Sequence, residues 1–523
     1  MTMIFLYGPP GSGKSTIGRL LAEALNRPFW DADAVIEAQA GIPIPQIFAQ
    51  QGEAGFRARE AAAIAELLTQ GDGVLALGGG ALLNEAVRRQ VEAAGSVVCL
   101  QAAPAVLLPR LANGDGERPL LAADLATKLP QLLAQRAAHY ASFPLQIDAS
   151  AAPDAVVYDI QVRLGLFHVR GMGDGYDVLV QPGGLAQLGQ ILRARQLRGP
   201  IALVSDENVA AHYLEKATAA LQAADYVVQP VVIPPGETHK TMQTVAVLWE
   251  AFLQAGLERG STIVALGGGV VGDLAGFAAA TYLRGLPWVG VPTSLLAMVD
   301  SSLGGKTGAD LPQGKNLVGA FHSPRLVLAD PDVLATLPPA ELRNGLGEVV
   351  KHGIIADPAL FALCAEGWTA VSGNWPELVS RAMAVKIAII QADPYEGGVR
   401  ASLNLGHTIG HAVELVSGFQ LRHGEAVAVG TVAEAQLAEQ MGLAEAGVVA
   451  KITAVLRGLQ LPTEIPPALD WDAVIRAVNV DKKRKNGRVK FALPIRIGEV
   501  RVGIDVPDWP HLIQTQSIQN ADI

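Results

Sequence analysis

Residues 3–16 read MIFLYGPPGSGKST. Met3 to Tyr7 form an apolar run of buried-strand length, and Gly8 to Thr16 form a glycine-rich turn leading into a helix that begins near Lys14. Gly11 and Gly13 let the backbone curl so that successive N–H groups point inward at phosphate oxygens, and the helix N-terminus adds a favourable dipole for the same anion. Within the loop Gly11, Ser12, Gly13, Lys14, Ser15 and Thr16 are the candidate phosphate contacts, with Lys14 reaching the terminal phosphates and Ser15 holding Mg2+. Strand, loop and helix in this order, with the full GxxxxGKS spacing, predict a parallel α/β domain that binds a nucleoside triphosphate.

Around that stretch the composition sets limits. A chain of 523 residues is too long for one core and divides into roughly three or four domains. Half the residues are hydrophobic and only 5% aromatic, with 56 glycines, which suits α/β packing better than an all-β fold. A formal charge of -10 argues against general affinity for nucleic acid or anionic lipid, so anionic small molecules must be held by local lysines and arginines. The two cysteines, Cys99 and Cys364, are far apart and in no CxxC pair, which excludes a disulfide framework, and Cys99 in VVCL reads as a buried thiol. An N-terminus already committed to strand and phosphate loop is not expected to be a signal peptide. Ser261 to Leu283 is long and apolar, but Asp273 and five glycines interrupt it, so it reads as a buried strand, loop and helix rather than a membrane span. The expectation is a soluble, cytoplasmic chain.

Along residues 1–165, apolar runs (MIFLY, GVLALGGG, SVVCLQ) alternate with Ala/Leu-rich helical stretches, the pattern of a parallel sheet covered by helices. The small-residue stretch ASAAPDA after Asp148 and GMGDG at Gly171 to Gly175 mark a boundary. A second α/β pattern occupies 168–330, with YDVLVQPG, PIALVSDEN, YVVQPVVIP and STIVALGGG. From about Pro331 to 510 the texture is mainly helical until KFALPIRIG. No repeats occur, and the one charge run is DKKRK at Asp481 to Lys485.

A phosphate loop alone does not separate ATPase, GTPase and kinase. FWDAD at Phe29 to Asp33 reads as a strand ending in a loop, with Asp31 and Asp33 projecting to one side. One carboxylate, Asp31, would support hydrated Mg2+, and the other, Asp33, would accept a hydroxyl proton as general base. GEAGFRARE (Gly52 to Glu60), GGG (Gly78 to Gly80), ERPLL (Glu117 to Leu121) and QRAAHY (Gln135 to Tyr140) follow in order. With these motifs the first 165 residues closely resemble shikimate kinases. That resemblance implies an adenylate-kinase-like fold, ATP with Mg2+, and phosphorylation of the shikimate 3-hydroxyl. It implies that Asp33, Arg57 and Arg136 hold shikimate beside the Gly79 and Gly80 backbone. Bidentate guanidinium contacts from Arg57 and Arg136 suit the substrate carboxylate. Arg118 would lie on a closing lid, LANGDGERP, and compensate charge as the phosphoryl group moves, and Arg110 is a candidate for the adenine side.

The second half carries its own glycine-rich turn, ALGGGVVGDLAGF (Ala265 to Phe277), after an apolar strand. It lacks the Lys-Ser/Thr of a triphosphate loop and is not GxGxxG, so it hints at a dinucleotide pyrophosphate site. VDSSLGGKTGADLPQGKN (Val299 to Asn316) places Lys306 and Lys315 in flexible, glycine-flanked segments suited to a phosphorylated or polyhydroxylated ligand. NLGHTIGHAVE and RHGEAVAVG supply His407, His411 and His423. By spacing alone His407 and His411, four apart on a helix, are nominated as a metal pair with a distant carboxylate.

GGGVVGD, PTSLLAMVDSSLGGKTG, GKNLVGAF, GEVVKHG and GHTIGHAVE together closely resemble 3-dehydroquinate synthase, from about His168 to near Gly503. The resemblance implies a different ligand set from the spacing argument: Glu348, His407 and His423 on Zn2+ or Co2+, with His411 beside the substrate in a catalytic role. His352, one turn after Glu348, is a candidate for supporting that set. The implied reaction converts 3-deoxy-D-arabino-heptulosonate 7-phosphate to 3-dehydroquinate with loss of phosphate, NAD+ being reduced and regenerated within each turnover. By the same resemblance Asp300, Lys306, Asn316, Lys351, Lys386, Arg400 and Asn404 line the substrate site, and Arg284 reaches the phosphate. Glu396 and His411 are the proton-handling positions, and either Lys482 or Lys483 closes on the substrate. Asp206, Asn208, Glu237, Lys240, Gly267, Gly268, Gly269, Asp273, Thr293, Ser294, Lys315 and Thr336 hold NAD, and a homodimer through this half is implied.

The expected chain is therefore a bifunctional enzyme, kinase first and synthase second, each half working without the other because their reactions are not consecutive. A metal-dependent polyol or alcohol dehydrogenase is the rival for the second half, although a simple alcohol needs no such set of lysines. A degenerate binding module is the other rival, but Lys14, Ser15, Asp33, Arg57, Glu348, His407 and His423 are all present.

Overall fold

A computed structural model describes residues 3–113, 124–482 and 489–513. The chain divides into two compact units, Met1–His168 and Val169–Ile523.

In the first unit five strands, β1 (Met3–Tyr7), β2 (Phe29–Asp31), β3 (Val74–Ala76), β4 (Gly95–Gln101) and β5 (Leu145–Asp148), form a parallel sheet in the order β2-β3-β1-β4-β5. The wholly apolar β1 takes the centre, and all five of its residues are buried. Met3, Phe5 and Tyr7 project to one face and pack with Leu75, Leu77, Cys99 and Phe143, as a period of two requires. The order reverses on either side of β1, so the loop leaving its C-terminal end sits at a topological switch point, where open α/β sheets bind ligands. That loop runs into helix Lys14–Ala24.

A second sheet holds β6 (Leu166–Val169), which spans the boundary between the units, with β7 (Tyr176–Val180), β8 (Arg198–Asp206), β9 (Val228–Ile233), β10 (Ser261–Gly267), β11 (Trp288–Pro292) and β14 (Leu326–Ala329) of the second unit, in the order β6-β7-β14-β11-β10-β8-β9. From β7 to β9 the pairs are parallel. Register aligns Leu266 with Ser205 and Gly267 with Pro292, so the C-terminal ends of β8, β10 and β11 open at one level. The long apolar stretch resolves into the fully buried β10 and helix Gly269–Thr281.

The segment expected to be flexible around Lys306 and Lys315 is instead an antiparallel hairpin, β12 (Lys306–Leu311) with β13 (Gly314–Phe321). Its glycines are needed for close pairing rather than for mobility. A Cβ on Gly308 would lie 2.4 Å from the Val318 carbonyl oxygen, and one on Gly319 2.2 Å from that of Thr307.

Helices then dominate, among them Pro339–Ile355, Trp375–Ala392, His407–Val416 and His423–Gln440, before a final hairpin of β15 (Lys490–Arg496) and β16 (Glu499–Asp505). Helix Pro339–Ile355 approaches the start of His423–Gln440 so closely that a Cβ on Gly347 would stand 2.2 Å from the Gly424 carbonyl oxygen. Among the described residues no helix is long and apolar enough to cross a membrane.

Candidate active sites

In the first unit Gly8, Gly11 and Gly13 take positive φ of 135°, 80° and 88°, a region open to glycine at no steric cost. Gly13 precedes helix Lys14–Ala24 without a side-chain cap, which leaves the first-turn N–H groups facing the loop. Lys14 Nζ donates to the carbonyls of Gly8 and Pro9, both at 3.0 Å. Ser12 is buried and its Oγ has no hydrogen-bond partner among the described residues, while Ser15 and Thr16 are exposed. Arg110 lies on helix Pro104–Ala112 and donates to the Ala149 carbonyl at 2.8 Å.

The strand-and-loop expectation for Asp31 and Asp33 needs correction. The strand stops at Asp31, which caps helix Ala32–Ala40, and Oδ1 of Asp31 accepts from the Asp33 N–H at 3.0 Å. A short polar side chain that can cap a helix ends the strand there, so strand periodicity does not govern the pair.

Arg57 follows a break at Gly52 in the long helix Ile44–Leu67 and pairs with Glu60 one turn on, at 2.7 Å. Glu60 is 3% exposed, and burial pushes its carboxyl up against the opposing pull of Arg57, with Asp33 adding to the rise. Gly78 has room for no side chain, since a Cβ there would lie 2.4 Å from Glu60 Oε1 and 3.4 Å from Asp33 Oδ1. Gly80 likewise abuts Arg57. The Gly79 carbonyl takes Arg136 Nη1 at 2.9 Å, Tyr140 Oη at 3.0 Å and Tyr7 Oη at 3.3 Å. Asp33, Arg57, Gly79, Gly80 and Arg136, scattered over more than a hundred positions of sequence, thus meet near the end of β1. A cavity of about 360 Å3 opens beside Arg57, Glu60, Gly80 and Asn84. Glu60, Tyr7 and Tyr140 were not singled out from sequence, although the Arg57–Glu60 spacing of three was a readable signal. Arg118 lies outside the described residues.

The second unit holds a cavity of about 1400 Å3 over the ends of β8, β10 and β11. Of the dinucleotide candidates, Asp206, Asn208, Glu237, Lys240, Gly268, Gly269, Asp273, Thr293, Ser294, Lys315 and Thr336 line it, and Gly267, the last residue of β10, does not. Gly268 precedes helix Gly269–Thr281 with no side-chain cap, so its leading N–H groups are available to an anion. Asp206 caps helix Glu207–Gln222 through the Asn208 and Val209 N–H groups. Buried Lys240 bridges Asp273 and Asn316 Oδ1, both at 2.6 Å, while Lys315 reaches Glu237 at 3.5 Å and lies 4.4 Å over the Phe419 ring. Tyr213, missed from sequence, meets Thr336 Oγ1 at 2.7 Å.

At the helical side of this cavity, His407 and His423 are each the first residue of a helix and Glu348 is fully buried within a third. Glu348 Oε1 lies 3.5 Å from His407 Nε2 and 3.3 Å from His423 Nε2. The other ring nitrogens are occupied: His407 Nδ1 by the Leu405 carbonyl at 3.1 Å and His423 Nδ1 by Glu414 Oε2 at 3.4 Å. His411 stands beside both rings, and a nitrogen from each of the three histidines falls within 4.8 Å of the others. Glu414 was quoted within GHTIGHAVE but not assigned, and its place three residues after His411 was the available clue.

Electrostatics follow from burial and pairing. Burial opposes the charge of Glu348, but Lys351 and the two histidines outweigh it and hold the carboxyl well below its usual range. His423 sits between Glu348 and Glu414, which overcome burial and lift it to about 10. Burial and Lys351 push His352 down to about 3, and both its ring nitrogens are unpartnered among the described residues. Lys386 Nζ donates to the Asp300 carboxylate at 2.5 Å and to its carbonyl at 2.8 Å. Burial alone would raise Asp300, but Lys386 brings it to about 2. Lys351 pairs with Glu348 and donates to the Leu403 carbonyl at 2.9 Å.

Among the substrate candidates, Asp300 and Asn316 line the large cavity, whereas Lys306, Lys351, Lys386, Glu396, Arg400, Asn404 and Arg284 do not. Lys306 pairs with Glu396, both half exposed, and Arg400 is buried against Glu396 and the Pro394 carbonyl. Asn404 and Arg284 are exposed, Arg284 on a turn where Leu283 and Arg284 both take positive φ. Lys482 ends helix Trp471–Lys482, and Lys483 lies outside the described residues.

Residues 10–164 match the family model of shikimate kinase, residues 230–344 that of the 3-dehydroquinate synthase N-terminal region, and residues 345–484 that of its C-terminal region. A 3-dehydroquinate synthase of Nostoc punctiforme is 46% identical over 349 residues, 65% of this chain and 96% of that protein. One of Symbiobacterium thermophilum is 48% identical over 341 residues, 64% and 95% of the two chains. Among solved structures, 2-epi-5-epi-valiolone synthase of Streptomyces hygroscopicus subsp. jinggangensis 5008, with NAD+ and Zn2+ bound, aligns with TM-score 0.61 and 31% identity over 66% of this chain and 97% of that one. A 2-deoxy-scyllo-inosose synthase complexed with carbaglucose-6-phosphate, NAD+ and Co2+ aligns with TM-score 0.61 and 26% identity over 67% and 99%.

Proposed function

Because the chain belongs to the 3-dehydroquinate synthase family through its second unit and carries a shikimate kinase domain in its first, we propose that its two clefts divide the two reactions between them. The first transfers the γ-phosphoryl of ATP to the 3-hydroxyl of shikimate. The second converts 3-deoxy-D-arabino-heptulosonate 7-phosphate to 3-dehydroquinate and phosphate. The observation that carries this reading is the convergence of both histidine Nε2 atoms on a buried Glu348 oxygen at the side of a cavity of about 1400 Å3, larger than one small-molecule substrate needs.

In the kinase cleft Lys14 would turn from the Gly8 and Pro9 carbonyls to the transferred phosphate, and Ser15 with Asp31 would support its Mg2+. Asp33 would accept the hydroxyl proton, and the Arg57 and Arg136 guanidiniums would orient the substrate carboxylate. Arg118 belongs to this reading through the resemblance alone.

The donor set of the second cleft fits a divalent metal. Two imidazole nitrogens, each oriented by a hydrogen bond at its other nitrogen, face a buried carboxylate whose oxygens have ionic contacts but no well-directed hydrogen bond among the described residues. Glu348, His407 and His423 would hold Zn2+ or Co2+, which supplies Lewis acidity toward a substrate hydroxyl, and NAD+ would lie along the Gly268–Gly269 helix start as the hydride acceptor and donor. Lys351, Lys386 and Asn316 would orient the anionic substrate with Asp300, while His411, on the metal side of the cavity, would hold or move a proton. Lys306, Arg400 and Glu396 belong to this reading through the resemblance alone. A homodimer through the second unit follows from the family resemblance, and dependence on ATP and NAD agrees with a cytoplasmic enzyme.

Two variants of the full chain test the division. Lys14→Met should abolish shikimate-dependent ADP formation and leave phosphate release from the heptulosonate phosphate intact, and His423→Ala should do the reverse. Loss of both activities in either variant would contradict it.

A further inference from the structure

The helix that opens with His407 cannot cap itself. It starts from Gly406 at φ 78°, with no side-chain cap. A Cβ at Gly406 would lie 2.3 Å from Thr431 Oγ1, and one at Gly430 2.0 Å from the Gly406 carbonyl oxygen. The crossing of helices His407–Val416 and His423–Gln440 is thus too close for a capping side chain at that position.

The first-turn N–H groups are met from the neighbouring helix instead. Glu434 lies eleven residues beyond His423, about three turns along the same helix. Its Oε2 accepts from the Gly406 N–H at 2.6 Å and its Oε1 from the Ile409 N–H at 3.4 Å, and the Thr408 N–H donates to the same carboxyl. Glu434 is fully buried, and among the described residues its close polar contacts are backbone N–H groups. Burying a carboxyl is costly unless hydrogen bonds replace its water, and here burial lifts Glu434 to about 8 against the backbone N–H groups of the His407 helix and the charge of Lys351. The side chain therefore ties the start of one histidine helix to the body of the other.

We propose that Glu434 is a positioning residue for the metal site, fixing the register of the two helices so that His407 and His423 both aim Nε2 at Glu348 Oε1. The inference rests on the reading of Glu348, His407 and His423 as ligands. Without the carboxylate the leading turn of the His407 helix would lose its acceptors and shift toward water, and the imidazole carried on its first residue would shift with it.

The test is Co2+ titration of the metal-stripped full chain, followed by its visible absorption, with melting of each metal-free variant as a control. Glu434→Leu, which removes every acceptor, is expected to bind Co2+ about 10- to 100-fold more weakly and to show an altered band shape at saturation. Glu434→Gln, which keeps one carbonyl acceptor, should fall between it and the parent. A spectrum and affinity unchanged in both variants would overturn the proposal. So would an unchanged Glu434→Gln beside a Glu434→Leu that does not fold, or a Glu434→Gln that does not melt cooperatively, since the residue would then serve the fold alone. His407→Ala separates this from the ligand reading: unchanged Co2+ binding in that variant would defeat the ligand assignment itself, whatever Glu434 does.

Discussion

Lys386→Met should destabilise the second unit by about 2–3 kcal/mol, and the structure gives the reasons for that size. Lys386 is 6% exposed and its ammonium contacts the Asp300 carboxylate at 2.5 Å. Asp300 is held at about 2, against burial, chiefly by this lysine. A carboxyl held below its unfolded value stabilises the folded chain at neutral pH, while burial lowers Lys386 itself and offsets part of that gain. Removing one partner of a buried pair costs about 3–5 kcal/mol because a charge is left uncompensated. Two features place this pair toward the low end: the Asp300 side chain is 29% exposed toward the cavity, and Lys351 acts on the same carboxyl. Since the folded value is depressed, the contribution is present above the unfolded value and is lost as pH falls toward 2, so the gap between parent and variant should narrow from pH 5 downward. Urea unfolding of the full chain at pH 7, followed by tryptophan fluorescence, is the assay, because every tryptophan except Trp30 lies in the second unit. Asp300→Asn and the double variant complete the cycle, and the double should cost less than the sum of the singles by about 1–2 kcal/mol. A cost for Lys386→Met below about 0.5 kcal/mol, or additive singles, would refute the reasoning.

Asp33→Asn should lower kinase kcat by about 10²- to 10⁴-fold in a coupled ADP assay while the synthase rate is unchanged; a fall under about tenfold would remove the general base from the mechanism. His411→Ala should keep the metal content of the parent by elemental analysis but lose turnover, whereas His407→Ala should lose the metal; loss of metal in both would restore the ligand pair nominated by spacing. Gly430→Ala forces a Cβ to within 2.0 Å of the Gly406 carbonyl oxygen, where neither helix backbone can yield. It should cost about 1–3 kcal/mol or more and weaken Co2+ binding, and a melting temperature equal to that of the parent would show that the crossing is looser than described.

The two histidine helices show how much of this was legible. GPPGSGKST and GHTIGHAVE are contiguous, and the residues that meet in space are also close in sequence, so strand, loop, helix and histidines could be placed from the letters. The spacing of His407 and His411 correctly put both on one helix face, but spacing says nothing about a third element. Only the packing of Gly347 on Gly424 explains why Glu348 meets His423. Asp31 and Asp33 were misread because a carboxylate at the end of a strand is equally a helix cap, and the choice depends on the helix that follows. The hairpin at Lys306 and Lys315 was misread because its glycines signal mobility locally while serving close strand pairing across the turn. Tyr213 and Glu434 carry no motif: each acquires its role from a partner brought by the fold, and Glu434 in particular serves a turn on a different helix.

The central claim is that the second unit cycles its NAD within each turnover at a metal-dependent site. It is tested most directly by phosphate release from 3-deoxy-D-arabino-heptulosonate 7-phosphate with NAD+ far below the substrate concentration, with and without a strong chelator. Many phosphates released per NAD, abolished by the chelator and restored by Zn2+ or Co2+, are predicted. NADH accumulating in step with substrate consumed, without phosphate release, would contradict the account and make the second unit a dehydrogenase.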